Sequence, residues 1–333
     1  MLDMAVVTPL VLVVGSLSAD HTIYVDRLPA AGETVRGYRY QTAPGGKGLN
    51  QAVAAARQGA QVAMSCCLGE DDWGRRLLEV LSAEGIGTGF ARTAPGVPSG
   101  TALITVERSG VNTIVVAAGA NGLLSVADVE AARSLLVPGC VLLAQLEVPL
   151  DAVEAAFLLA KQAGATTVLN PSPVPDPVPR RLLELADVLV PNEAEALAIT
   201  GASGPERALN SLRELTQASI ALTLGEQGAL VAPAGASPVL VPAFRVEPVD
   251  TTAAGDAFCG TLAASLVAGA SLVEAARRGC AAGALATTVP GAVPSLPTLA
   301  AVEQLLAGSA PPAGSAPRRQ VEPPAGPAPP AGD

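Results

Sequence analysis

The alternation of apolar and polar positions divides the chain into two kinds of segment. Short apolar runs at Leu10–Val14, Gln61–Cys67, Val141–Leu146, Thr166–Leu169, Asp187–Val190 and Ile220–Leu224 read as strands buried on both faces. Between them, amphipathic stretches at Asn50–Gln58, Trp73–Ala83, Val126–Leu136, Leu150–Ala163, Glu193–Ile199 and Glu206–Thr216 read as helices. This order and the short connections predict an α/β fold, a doubly wound parallel sheet with helices on both faces.

Two stretches depart from it. Residues 21–43 and 100–117 alternate polar and apolar positions, as half-exposed strands do, and Arg108-Ser109-Gly110 supplies a hairpin turn. The two segments are expected to pair as a small β-sheet over one end of the main domain, a candidate lid. From about Leu306 the apolar periodicity stops, and residues 308–333 are rich in Pro, Ala and Gly. Such a segment buries too little to offset its ordering entropy. The expected organisation is therefore one domain over 1–307 and a disordered tail over 308–333.

Composition narrows the chemistry. Of 333 residues 50% are hydrophobic, enough for a large core, and the net charge of −10 argues against a nucleic-acid or anionic-membrane partner. Aromatic residues make up 2%, which argues against base-stacking platforms. The single histidine, His21, excludes multi-histidine metal sites and disfavours histidine-based triads. Five cysteines (Cys66, Cys67, Cys140, Cys259, Cys280) form no CxxC pair and read as reduced, buried thiols. The first residues lack the basic region and cleavage site of a leader, and no apolar run reaches the roughly 20 residues of a bilayer span. A cytoplasmic protein is expected.

Three segments carry candidate chemistry. In Val249-Asp250-Thr251-Thr252-Ala253-Ala254-Gly255-Asp256, small residues open an apolar helix and leave backbone N–H groups free at its positive end. Asp256 beside such an anion hole suits a general base, although the same pattern fits an ordinary helix start. In Gly45-Gly46-Lys47-Gly48-Leu49-Asn50-Gln51, glycines allow close backbone approach and Asn50 offers a donor and an acceptor for hydroxyls. The spacing is not that of a Walker loop, and a plain helix cap fits as well. In Pro191-Asn192-Glu193-Ala194-Glu195, Asn192 and Glu195 share one face of a first turn. They read either as a cap or as oxygen donors toward phosphate and a hard cation.

Taken together these stretches resemble the PfkB-type carbohydrate kinases, closest to the ribokinase members. The matching segments are GSLSADHTIYVDRLPAAGETVRG, GGKGLNQAVAAARQGA, LLAQLEVPL, LNPSPV, PNEAEA, TLGEQGA, VDTTAAGDAF and GAVPSLP, in the family's order over about residues 10–305. The resemblance implies a ribokinase-like central sheet with a β-lid, a homodimer joined through the lids, and ATP-dependent phosphorylation of the 5-hydroxyl of D-ribose. It implies Asp256 as the base and Ala253, Ala254 and Gly255 as the anion hole. Ser18, Ala19, Asp20, Gly46, Lys47, Gly48, Asn50 and Glu147 fall at the sugar contacts. Asn192, Thr223, Leu224, Gly225, Glu226, Gln227, Gly228, Gly255, Asp256 and Cys280 fall at the ATP contacts. Glu195 would act on Mg²⁺ indirectly, and Asp250, Thr252, Ala286, Val289, Gly291 and Ser295 match a site for K⁺.

Two positions depart from the family pattern. Ser18 stands where ribokinases usually carry Asn, and Cys280 where many relatives carry His. The first puts the identity of the sugar in question, leaving another pentose, a hexose or a nucleoside as the alternative substrate. A non-catalytic sugar-binding protein is the alternative of a different class, disfavoured by Asp256 beside an intact Ala-Ala-Gly segment. His21 is expected to be a structural lid residue.

Overall fold

A computed structural model describes residues 10–308 except Gly110 and Pro179. In chain order the strands are β1 (Val11–Val14), β2 (Ser18–Val25), β3 (Gly37–Gly45), β4 (Val62–Gly69), β5 (Gly87–Ala94), β6 (Gly100–Glu107), β7 (Asn112–Ala117), β8 (Val141–Ala144), β9 (Thr166–Leu169), β10 (Val188–Leu189), β11 (Ser219–Thr223), β12 (Ala229–Ala232) and β13 (Val239–Val241). The helices are α1 (Lys47–Arg57), α2 (Asp72–Ala83), α3 (Val126–Ala131), α4 (Leu150–Ala163), α5 (Arg180–Leu185), α6 (Glu193–Thr200), α7 (Pro205–Leu215), α8 (Ala254–Val267), α9 (Leu272–Ala286) and α10 (Leu299–Gly308).

Nine strands form the main sheet in the order β13-β12-β11-β10-β9-β8-β1-β4-β5. The pairs from β11 through β5 are parallel, and β12 and β13 add an antiparallel edge. Alternate side chains of β1 enter opposite cores. Val11 and Val13 pack with residues of α1, α8 and α9, and Leu12 and Val14 with residues of α4 and α7. Burial on both sides explains why these strands read as unbroken apolar runs.

Four strands form the second sheet in the order β3-β2-β6-β7. Each alternating segment supplies one antiparallel pair, and β2 runs parallel to β6 to join them. The sheet grows directly out of the C-terminal end of β1, which continues through Gly15–Leu17 into β2.

Several boundaries differ from the sequence reading. Helix α1 begins at Lys47 because Gly46, at φ 96°, reverses the chain just before it. The stretch 126–136 is a short α3 followed by a 3₁₀ turn at Ala132–Leu135. Strands β5, β12 and β13 and helices α5, α9 and α10 were not legible as periodic runs. Gly308, assigned to the tail, is the last residue of α10. The rest of that tail, 309–333, and residues 1–9 lie outside the described residues.

Candidate active site

The site assembles where β1 and β8 end and α1 and α8 begin. Glu147, just past β8, accepts a hydrogen bond from the Ser16 hydroxyl (2.5 Å) and one from the Lys47 backbone N–H (3.1 Å) on the same Oε2. The approach of α1 to this turn is set by Gly48. A Cβ there would stand 2.5 Å from the Ser16 nitrogen, so the two backbones touch only because the side chain is absent. Asn121 clamps Leu17 at the exit to the lid. Its Oδ1 accepts from the Leu17 N–H (3.0 Å) and its Nδ2 donates to the Leu17 carbonyl (2.7 Å).

Asp20 lies on β2 opposite Ala43 and Ala102. The Ser18 hydroxyl donates to its Oδ1 at 2.6 Å. Burial lifts the Asp20 carboxyl to about 6, and the nearby carboxylates of Glu147 and Asp256 add to this against the Ser18 hydrogen bond. Three acids thus crowd one end of the sheet, an environment that favours hydroxyl donors.

Ala253 precedes α8 with φ 59°, the one non-glycine positive φ among the described residues. A left-handed alanine costs about 1 kcal/mol or more and is held by its surroundings. Here it turns the chain so that the first N–H groups of α8 have no capping side chain. Asp256 follows in the first turn and is buried. Its Oδ2 accepts from Asn50 Nδ2 and its Oδ1 from Gln51 Nε2, both at 2.9 Å. Burial raises the Asp256 carboxyl, opposed by Lys47, Gln51 and Asn50. Burial also pulls at the Lys47 ammonium, but the charges of Asp256, Glu147 and Glu195 outweigh it and hold it above its usual value. Helices α1 and α8 meet at Gly260, where a Cβ would fall 2.4 Å from the Gln51 carbonyl oxygen.

Two cavities meet at this helix start. The smaller, about 210 Å³, is lined by Lys47, Asn170, Asn192, Glu195, Ala253, Asp256 and Cys259 among others. The larger, about 760 Å³, is lined by Thr223, Gly225–Gly228, the 243–248 strand-like segment, Phe258 and the Gly279–Thr287 face of α9. Thr223, Thr251, Ala254 and Gly255 line both. A molecule filling the larger cavity would therefore reach the uncapped N–H groups with one end, and Asp256 faces that end from the smaller cavity.

The residues expected from the sequence fall into three groups. Lys47, Asn50, Glu147, Ser18, Asp20 and Asp256 converge as described. Asn192 and Glu195 form a capping box, Asn192 Oδ1 accepting from the Glu195 N–H (2.8 Å) and Glu195 Oε2 from the Asn192 N–H (2.9 Å). Both also line the smaller cavity, so cap and donor roles coexist, and burial raises the Glu195 carboxyl. Of the ATP set, Thr223, Gly225, Glu226, Gln227, Gly228 and Cys280 line the larger cavity, whereas Leu224 packs into the core. Burial pushes the Cys280 thiol up to about 12, keeping it neutral. All five cysteines are free and buried.

Of the residues expected at a K⁺ site, Asp250 ties Thr252 and Gly291 together. Its Oδ1 accepts from Thr252 N–H (2.9 Å) and Thr252 Oγ1 (2.6 Å), and its Oδ2 from Gly291 N–H (2.8 Å). The Ser295 hydroxyl is spent on the Ala292 carbonyl. No group of three or more His, Cys, Asp or Glu among the described residues could hold a metal ion. A cation there would rely on backbone carbonyls with Asp250, hard oxygens that suit an alkali ion. His21 contacts Tyr40 and Trp73 at the lid, as a structural residue does.

Sequence reasoning missed Gln51, Asn170 and Gln145, three buried amides behind Asp256. Gln51 was within reach, since it follows Asn50 and lies four residues, one helical turn, after Lys47.

Comparison with known proteins shows the family of the chain. Residues 8–299 match the model of the pfkB family carbohydrate kinases. The chain is similar to the ribokinase of Haemophilus influenzae, 40% identical over 291 residues that cover 86% of this chain and 94% of that protein. It is also similar to the deoxyribokinase of Salmonella typhi, 34% identical with coverage of 86% and 95%. Among solved structures, Arabidopsis thaliana ribokinase complexed with ribose and ATP superposes with a TM-score of 0.81 at 32% identity, covering 90% of this chain and 99% of that one.

Proposed function

The chain belongs to the pfkB family of carbohydrate kinases, and from that premise we propose that it transfers the γ-phosphoryl group of ATP to the 5-hydroxyl of D-ribose, giving ribose 5-phosphate and ADP. The observation that carries the reading is Asp256, a buried carboxylate fixed by two amides beside uncapped helix N–H groups where two cavities meet.

ATP occupies the larger cavity with its base near Cys280 and its phosphates at the Thr223–Gly228 turn. The sugar lies under the lid, its hydroxyls on Asp20, Asn50 and Glu147 and the backbone of Ala19, Gly46 and Gly48. Asn50 Oδ1 is buried without a protein partner, which suits it to accept from a substrate hydroxyl. Asp256 takes the proton of the attacking hydroxyl, and the N–H groups of Ala253–Gly255 with Lys47 meet the charge on the phosphoryl oxygens. Closure of the lid excludes water from the transfer.

Glu195 and Asn192 present the oxygen donors suited to Mg²⁺ through its water shell, and the ion supplies charge neutralisation on the phosphates when bound. Asp250, Thr252 and the carbonyls of Ala286, Val289 and Gly291, near Ser295, would hold K⁺, whose charge would steady the turn at Ala253. Replacing K⁺ by Li⁺ at equal ionic strength should lower the rate. The protein works as a cytoplasmic homodimer joined through its lids, and the 1–307 domain carries the whole activity.

Release of ADP by the purified protein over a panel of pentoses, hexoses and nucleosides tests the reading, with ribose expected to lead. A second substrate is favoured by one observation: the Ser18 hydroxyl is turned onto Asp20, so the contact of a longer amide with the sugar is absent. A 2-deoxypentose should therefore be phosphorylated as well.

A further inference from the structure

Behind Asp256 lies a chain of buried amides. Gln51 Nε2 donates to Asp256 Oδ1 (2.9 Å) and to Asn170 Oδ1 (3.1 Å), and Gln51 Oε1 accepts from Gln145 Nε2 (2.6 Å). Asn170 Nδ2 donates to the Val190 carbonyl (2.9 Å). Gln51 and Gln145 are wholly buried and Asn170 is nearly so. The chain therefore runs from the end of β8 through α1 to α8, with a branch to the ends of β9 and β10.

The orientation of every amide in it is forced from one backbone atom. A carbonyl can only accept, so Asn170 must turn its NH₂ to Val190 and its oxygen to Gln51. Gln51 must then present its NH₂ to that oxygen, which leaves its second N–H for Asp256 and its own oxygen for Gln145. Both amide hydrogens of Gln51 are thus used. The free end of the chain is Gln145 Oε1, buried without a partner and packed where a Cβ on Gly15 would lie 2.3 Å away. A half-satisfied end in so buried a place is costly and points to a function for the amides ahead of it.

We propose that Gln51 is a positioning residue for phosphoryl transfer: its forced N–H donor fixes the rotation of the Asp256 carboxylate and keeps that carboxylate ionised, while Asn50 secures the other oxygen. The inference rests on the reading of Asp256 as the base. The charged and titratable groups that bear on Asp256 are Lys47 of α1, Glu147 beyond β8, Glu195 of α6, Asp20 of the lid and the Cys259 thiol one turn along α8. Lys47 alone among them favours the carboxylate, so a neutral donor aimed by the fold is a large share of what holds it ionised.

The test is Gln51→Met in the full-length protein, which keeps a side chain of similar length and removes the donor. The expected result is a kcat lower by about 10- to 100-fold with KM for ATP within twofold of wild type. The acidic limb of the kcat–pH profile should move upward by about one pH unit or more, because a buried base without that donor binds its proton more tightly. A folded variant with the wild-type limb overturns the proposal, even if kcat falls, since loss of packing alone would not move the limb. Should Gln51→Met fail to fold, Asn170→Ala releases the anchor and leaves Gln51 in place. It should show the same upward shift, smaller in size, and an unshifted limb there is equally fatal. Asp256→Asn separates the two levels. If it stays active, the base assignment has failed; if it is inactive while the Gln51 and Asn170 variants titrate like wild type, only the positioning role has failed.

Discussion

The end of the main sheet and the lid solve opposite problems with the same residue types. Around Asp256 almost every polar group is buried and tied to another, and the helices that carry them touch at the backbone. On the lid the register puts Ile23, Tyr40, Leu103 and Val115 on the face opposite Asp20. These four side chains are exposed by 43, 60, 57 and 66%, an apolar patch that the described residues leave uncovered. The first region is specified from within, whereas the second presents a surface suited to a partner. A second lid laid over this face is the arrangement we propose for the dimer.

Substitutions can break each side of this contrast. The largest effect is expected at Asp256→Asn, which keeps the size and removes the basicity. Turnover should fall by about 10²–10⁴-fold while ribose and ADP binding, measured by calorimetry, persist. On the lid, Val115→Glu brings two buried like charges to the proposed interface and should raise the dimer dissociation constant by about 10²-fold or more, read by light scattering across a dilution series. A wild-type protein that is monomeric at micromolar concentration would remove the interface.

Asp20 joins the two regions, and its sign can be worked out. Its carboxyl ionises near 6 in the folded protein against 3.8 ordinarily. The folded state holds the proton longer, so its contribution to stability is full below about pH 4 and lost as pH rises through about 6. Asp20→Asn, with no charge to desolvate, should stabilise the fold by roughly 1–3 kcal/mol at pH 8 and by nothing at pH 4, while ribose turnover falls. Denaturation midpoints at pH 4, 6 and 8 check it, and equal increments at all three would contradict it. The smallest effect is expected at Ser18→Asn. One restored neutral hydrogen bond should raise ribose kcat/KM by roughly 2- to 13-fold and sharpen the ratio of ribose to deoxyribose.

What could be read in the sequence follows from the same contrast. Strands such as β1, β8 and β9 announce themselves because both faces are apolar, and the lid because its faces differ. Two kinds of element escaped notice: β5 (GTGFARTA), at the sheet edge, mixes Gly and Thr with few large apolar residues, and α9 has Ala, Gly or Cys at nine of its fifteen positions. The motifs located Asp256, Asn50, Lys47 and Glu147 because each sits in a contiguous segment with its own local pattern. Gln145 and Asn170 sit just past strand ends and gain their meaning from partners about 94 and 119 positions away in the chain, a relation that only the fold supplies. Leu224 was assigned to the nucleotide by its neighbours, yet alternation at the strand end turns it into the core.

The contact at Gly260 has a consequence for how the protein opens. Helices α1 and α8 approach until a single added carbon would strike the Gln51 carbonyl, so neither can shift without the other. In the language of hydrogen exchange they are expected to form one cooperative unit, whose amides should gain and lose protection together. The lid strands form a separate sheet, whereas the base and the two amides that hold it should open only with the helices that carry them. Heating should therefore leave the transfer geometry intact until the whole main sheet melts.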